Sequence, residues 1–261
     1  MAELKKLETL MVIIMAKIIG RNPVVEAIIG GRNIHEIIFQ ENLDASRLID
    51  IKGLASSKGI KIKEVSAIEI SRIAESDNHQ GVVALAEDIK LYSLEEFLEE
   101  LPQGNGFLLN KPRFLILDQI QDPHNFGALI RTAQSAGFNG VIFHENRFCD
   151  LTTTVLKASS GAAEHISLIK VKNLNRAIED LKAKGVWIAG ADMEGEQQYF
   201  EADFTGAIGI VIGNEGSGLR RLVKENCDFL VSIPVTEHPG SLNASVAAGI
   251  LIYETVRQRK N

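Results

Sequence analysis

The sequence predicts an α/β protein built on a parallel sheet with helices on both faces, preceded by a smaller α/β domain. Three observations predict it. From Arg113 onward, short apolar runs alternate with helical patterns, as in strand–helix units. Two of those runs, Phe114–Leu117 (FLIL) and Ala207–Gly213 (AIGIVIG), are apolar throughout, as strands covered on both faces must be. Between the halves the composition changes: Ser93–Pro112 carries four Glu, two Gly and two Pro, which reads as a linker.

The expected domains are therefore 17–90, a linker over 91–112, and 113–261. In the first, Glu36–Phe39 (EIIF), Ile60–Val65 (IKIKEV) and Gly81–Glu87 (GVVALAE) read as strands, with a helical stretch through Leu48 and Leu54. In the second, the strand at Phe114 leads to a helix over Asn125–Ala136. Its buried face would be Phe126, Leu129, Ile130 and Ala133, with Gly137 as the stop. Gly140–Phe143, His165–Val171, Val186–Asp192, Ala207–Gly213 and Phe229–Pro234 read as further strands. Asn173–Lys184 and Asn243–Gln258 read as helices.

The chain has 261 residues, 45 % hydrophobic and 24 % charged, which excludes disordered and low-complexity classes. Its net charge of −6 is not that of a non-specific nucleic-acid coat, although a local basic patch would suffice for a specific RNA. Cys149 and Cys227 are the only cysteines; without a CxxC pair they form neither a disulfide framework nor a structural zinc site. No metal is expected, and the reading is a cytoplasmic protein. No apolar run reaches the ~20 residues of a membrane span. Leu10–Ala16 (LMVIIMA) follows Lys5 and Lys6 but has no small-x-small cleavage site. Residues 1–16 are read as a disordered leader, or as the product of a start placed before Met11 or Met15.

Ligands of such sheets sit at the carboxyl ends of the strands, and three loops in that position are rich in Gly, Asn, Ser and Glu. Leu117–Ala133 (LDQIQDPHNFGALIRTA) turns at Asp122-Pro123, offers Asn125 as a helix cap and places Arg131 off the apolar face. Ile210–Leu222 (IVIGNEGSGLRRL) holds three glycines around Glu215; a carboxylate there repels a bare phosphate and suits a ligand with a positive centre. Ser232–Glu254 opens a small-residue helix with Ser241-Leu242-Asn243. Taken singly, each is also explained by capping and tight-turn chemistry. Neither GxGxxG nor a Walker motif occurs, which counts against a nucleotide-dependent oxidoreductase.

In order on one sheet, the three loops resemble the three signature motifs of the SpoU (TrmH-type) RNA ribose 2′-O-methyltransferases. The resemblance extends to Lys157–His165 (KASSGAAEH), and to Ile18–Ala27 (IIGRNPVVEA) and His79–Ala84 (HQGVVA), which are similar to the family's RNA-substrate-binding domain. It spans the chain from about Lys17 onward and is nearest to the bacterial enzymes that act on a guanosine of 23S ribosomal RNA. It implies a C-terminal trefoil knot, S-adenosylmethionine as cofactor, an RNA substrate and a homodimer with its sites near the subunit interface. Residue by residue it implies catalytic roles for Asn125, Arg131, Glu215, Ser241 and Asn243. It implies cofactor contacts at Gly213, Ile233 and Leu242, and RNA contacts at Arg21, Asn22 and His79. Arg220, Arg221 and Lys224 would touch phosphate or form a solvated face. The third motif departs from the family: Val235 stands where Met is usual and Glu237 where Gly is usual, followed by His238-Pro239-Gly240.

The implied reaction is an in-line displacement by a ribose 2′-oxygen, so alignment and proton removal are what the protein supplies. The family gives Arg131 the catalytic role, yet a guanidinium ordinarily holds its proton to above ~12. A cation opposite a developing alkoxide is the energetically simpler part for it. Transfer RNA as substrate, or a catalytically silent ribosome-assembly factor, are the alternatives.

Overall fold

Runs rich in Ile and Val form the strands of the amino-terminal part: β1 (Ala16–Ile19), β2 (Ile34–Gln40), β3 (Lys61–Val65) and β4 (Val82–Ala86). They line up in the order β1-β4-β2-β3, with β2 and β3 parallel and β4 antiparallel to both its neighbours. Successive side chains alternate between faces. Ile18, Ile37 and Val82 face a core shared with helices α1 (Arg21–Ile29) and α2 (Ile49–Ser57). Ile19, Ile38 and Val83 face a second core under α3 (Ala67–Ala74). Because β4 is covered on both sides, its VVALA is apolar throughout. Edge strand β3 exposes its first four residues, two of them lysines, which blunts the edge against pairing with another chain.

The computed structural model describes residues 15–43, 48–145, 153–236 and 241–259. The chain divides into two units. The first runs to Ile89 and also takes in Ser160–His165; the second comprises Lys90–Ser159 and the chain from Ile166 on. Within the first unit Glu164 pairs with Arg32 at 2.7 Å, both side chains buried, and His165 Nε2 meets Glu26 Oε2 at 2.8 Å.

The stretch 91–112, expected as a linker, is folded into the second unit. It holds β5 (Leu91–Tyr92), α4 (Leu94–Glu100) and α5 (Asn105–Leu109). Leu94, Phe97, Leu98 and Phe107 are part of the core, and Ser93 with Glu96 closes a capping box. The glutamates suggested a linker, but the apolar spacing 94, 97, 98, 101 is that of an amphipathic helix.

The remaining elements follow in order. They are β6 (Arg113–Leu117), α6 (Pro123–Ser135), β7 (Gly140–His144), α7 (Thr153–Ala158), β8 (Ser167–Val171), α8 (Leu174–Ala183), β9 (Trp187–Ala191) and β10 (Gln197–Gln198). Then come β11 (Ile208–Ile212), α9 (Arg221–Asn226), β12 (Phe229–Ser232) and α10 (Ala244–Arg259). The eight strands order as β10-β12-β9-β11-β6-β7-β8-β5, and every pairing is parallel. The expected α/β sheet is present. From β6 the chain adds β7 and β8 on one side, then crosses to build β9, β11 and β12 on the other. Next to that reversal the carboxyl ends of four neighbours, β12, β9, β11 and β6, converge, which is where open sheets bind ligands.

Cys227, after α9, donates its Sγ–H to the Val223 carbonyl at 3.3 Å. Burial, and then the charge of Asp228, push its thiol up to about 12. A thiol that does not ionise is a poor nucleophile. In a Cys149→Ser protein, iodoacetamide at pH 8 should leave Cys227 unmodified until denaturant is added; rapid native alkylation would contradict this burial.

Candidate active site

The site begins at a helix start. Expectation placed Asn125 at the cap of the first motif's helix. In the structure the cap lies three residues earlier: it is Asp122, its Oδ1 accepting from the His124 amide at 3.0 Å, and Pro123 occupies the first turn. The side chain of Asn125 is thereby released from capping. It is buried, donates Nδ2–H to Glu215 Oε1 at 2.6 Å, and accepts at Oδ1 from Asn243 Nδ2 at 3.0 Å. Asn243 in turn caps α10, its Oδ1 accepting from the Ser245 amide at 2.9 Å. One residue from each of the three motifs thus forms a Glu215–Asn125–Asn243 chain, in which the two amides must hold one orientation.

Further bonds stitch the loops together. Asn214 donates from Nδ2 to the Gln119 carbonyl at 3.0 Å, and its Oδ1 accepts from the Gly216 amide at 2.9 Å. Gln119 is held at φ 65°, a left-handed conformation costly for a non-glycine residue and typical of functional loops. Asp118, fully buried at the end of β6, accepts from the Arg220 amide at 2.8 Å and from Arg220 Nε at 2.6 Å. Arg220 is thus occupied within the fold, Arg221 pairs with Glu225 at 2.6 Å, and Lys224 bonds Asp192 and Glu194. Sequence reading missed Asp118, Asn214 and Asp192. Each is a polar residue directly after, or one residue beyond, the end of an apolar strand, which is the signal that marks them.

Beside this network lies a cavity of about 410 Å³. Ile212, Leu219, Val231, Ile233 and Leu242 make it apolar, Gly213–Gly218 supplies a wall of main chain, and Glu215 and Ser241 stand at its edge. The expected cofactor residues Gly213, Ile233 and Leu242 all line it, together with Val235 of the departing motif. Glu237–Gly240 lie outside the described residues. Gly213 has no room for a side chain: a Cβ would stand 2.3 Å from the Gly218 carbonyl carbon. Apolar walls, exposed peptide groups and a carboxylate at the rim fit a ligand with a flat heterocycle, hydroxyls and a positive centre, as S-adenosylmethionine has.

Arg131 is not among the residues lining the cavity. It is exposed on α6, ~9 Å along the helix axis from Asn125 and on another face. Among the RNA candidates, Arg21 and Asn22 open α1, and the Arg21 amide donates to Gln80 Oε1 at 3.1 Å. His79 points inward instead. It is 7 % exposed, its Nδ1 accepts from the Gly81 amide at 3.0 Å, and Nε2 lies 3.1 Å from Ser71 Oγ. Acceptance at Nδ1 places the ring proton on Nε2, so both nitrogens are used to hold the 79–81 loop against α3. Among the described residues no cluster of three or more His, Cys, Asp and Glu is disposed to hold a metal, and no helix is long and apolar enough to cross a membrane.

Comparison with known proteins identifies the family. Residues 112–253 match the SpoU rRNA methylase family, and residues 17–92 match the RNA 2′-O ribose methyltransferase substrate-binding family. A Bacillus subtilis protein named for the TrmH family of tRNA/rRNA methyltransferases is 38 % identical over 242 residues, covering 93 % of this chain and 95 % of its own. The crystal structure of an AdoMet-bound rRNA methyltransferase from Sinorhizobium meliloti superposes with a TM-score of 0.76 at 26 % identity. It covers 92 % of this chain and 86 % of that one. The TrmH/SpoU tRNA-modifying enzyme of A. aeolicus superposes with a TM-score of 0.53 at 27 % identity, over 64 % of this chain and 82 % of that one. With three motifs joined by one hydrogen-bond chain beside a largely apolar cavity, the chain belongs to the SpoU/TrmH family of S-adenosylmethionine-dependent RNA 2′-O-methyltransferases.

Proposed function

We propose that the substrate is ribosomal RNA, a guanosine 2′-OH of 23S ribosomal RNA, and that the protein acts as a cytoplasmic homodimer. One observation carries the choice of RNA. Likeness to the S. meliloti ribosomal-RNA enzyme runs through 92 % of the chain, whereas likeness to the A. aeolicus transfer-RNA enzyme covers 64 %. Residues 17–90 would present the RNA, with Arg21 and Asn22 as contacts and His79 shaping the loop beside them.

Bound S-adenosylmethionine supplies an electrophilic methyl group on a sulfonium, which passes to the ribose 2′-oxygen with release of a neutral thioether. The protein's part is alignment, worth up to ~7–11 kcal/mol in ideal cases. Gly213, Ile233 and Leu242 would hold the cofactor, largely through main chain. Glu215 would face its positive centre, with Asn125 and Asn243 fixing the carboxylate and Ser241 beside them at the rim. Arg131 would stay cationic, hold an RNA phosphate and stabilise the alkoxide as the 2′-oxygen loses its proton to solvent. A second copy has a natural seat on α10, which exposes Val246 and Tyr253, seven residues apart on one face, close to Leu242 at the cavity. The strand order, with β12 between β9 and β10, is compatible with the knot of the family.

The test offers labelled S-adenosylmethionine with unmodified 23S ribosomal RNA and with unmodified transfer RNA. Label in 23S RNA alone, with one linkage becoming resistant to alkali, is the expected result. Label in transfer RNA alone would move the substrate to that class. Cofactor binding without transfer to either would point to a different RNA or an assembly intermediate as substrate, and no cofactor binding at all would favour a silent RNA binder.

A further inference from the structure

The lining of the same cavity also carries charge outside the Glu215–Asn125–Asn243 chain. Asp192 follows β9 and its main-chain amide donates to the Val231 carbonyl at 3.0 Å, so the residue is fixed to the sheet. One carboxylate oxygen, Oδ1, accepts from the Glu194 amide at 2.9 Å; the other, Oδ2, lies 3.1 Å from Lys224 Nζ. Lys224 also bonds Glu194 Oε2 at 3.1 Å. All three side chains line the cavity, but they differ in freedom. Asp192 is 14 % exposed and Glu194 85 % exposed. A carboxylate has about four acceptor positions, so Asp192 has spare acceptor capacity on a rigid support.

We infer that Asp192 accepts the ribose hydroxyls of S-adenosylmethionine, with Lys224 as the positioning residue that holds its carboxylate in place. The inference rests on the family's cofactor and not on the choice of RNA. Two carboxylates and one ammonium carry a net negative charge, which repels the carboxylate of the methionine end. The adenosine end is neutral and brings two hydroxyl donors, the groups an acidic residue at a strand's carboxyl end accepts in other α/β sheets. The neighbouring apolar walls, Ile212, Leu219 and Val231, suit the adenine that adjoins the ribose. Glu194 closes the cluster from the solvent side.

Calorimetric binding to the full-length protein separates the two ends of the cofactor. The probes are S-adenosylmethionine, 5′-methylthioadenosine, which lacks the amino-acid end, and the 2′,3′-dideoxy form of methylthioadenosine. Asp192→Asn should weaken the first two alike, by roughly ten- to a hundredfold, as expected for a hydrogen bond to a charged acceptor. The dideoxy ligand should bind wild type and variant with the same low affinity. Lys224→Gln should reduce the preference for methylthioadenosine over its dideoxy form. Weakened S-adenosylmethionine with unchanged methylthioadenosine would assign Asp192 to the amino-acid end and overturn the inference, as would unchanged binding of both. A wild type that binds none of the three would instead overturn the cofactor assignment. Should Asp192→Asn not fold, wild type binding the dideoxy ligand as tightly as methylthioadenosine would refute the inference by itself.

Discussion

Replacing Arg131 with alanine should lower methyl transfer by at least ~10²–10³-fold, the loss seen when one stabiliser of a developing oxyanion is removed. Cofactor affinity should not change. The two readouts separate because Arg131 is outside the cavity lining that holds the cofactor residues. Arg131→Lys should recover part of the rate, because it keeps the charge but loses the planar fork that grips phosphate. Single-turnover transfer measured at saturating cofactor decides the matter: an unchanged rate in the alanine variant would remove Arg131 from catalysis, and loss of cofactor binding would make it a structural residue.

The sheet was legible because its strands are apolar on both faces and its helices keep a 3.6-residue period, both local properties of sequence. The site was legible only as three separate loops. Its joining bonds span 90 residues from Asn125 to Glu215, 118 from Asn125 to Asn243 and 102 from Asp118 to Arg220, and no local pattern encodes such meetings. Local rules also misplaced Asn125. Asn caps helices well, but an Asp-Pro pair just upstream caps better, and the displaced Asn was then free for the site. His79 stands in a polar run, SDNHQG, that reads as surface. The two positive-φ residues beside it, Gln80 and Gly81, turn the chain so that the ring points inward. The Ser160–His165 segment shows the same limit at domain scale, since it lies ~70 residues past the amino-terminal domain's expected end and yet packs within that unit.

The glycines of the second motif should respond to alanine in a graded way that only the folded loop explains. Asn214 and Gly218 pair across the loop, amide to carbonyl in both directions, at 3.1 and 2.9 Å. That closure lays Gly218 directly over Gly213. A Cβ at Gly213 would meet main-chain atoms at 2.3 Å (Gly218 carbonyl carbon), 2.5 Å (its oxygen) and 2.5 Å (Leu219 nitrogen). Main chain cannot rotate aside as a side chain can, so the loop itself must move. Overpacking costs about 1–3 kcal/mol of stability, and an ångström's displacement of positioning groups costs ~10²-fold in function. Gly213→Ala should therefore lose about a hundredfold or more in S-adenosylmethionine affinity. Gly218→Ala meets nothing within 4 Å but sits at φ 67°, so it should lose only the ~1 kcal/mol of a left-handed L-residue. Gly216→Ala, at ordinary φ with its nearest protein neighbour 3.6 Å away, should keep wild-type thermal stability; because Gly216 lines the cavity, any affinity it loses reports its methyl against the cofactor rather than a moved loop. Calorimetric affinities and thermal melts of the three variants give the order. If Gly213→Ala kept wild-type affinity and wild-type melting, the loop closure over Gly213 could not be what shapes the cavity wall.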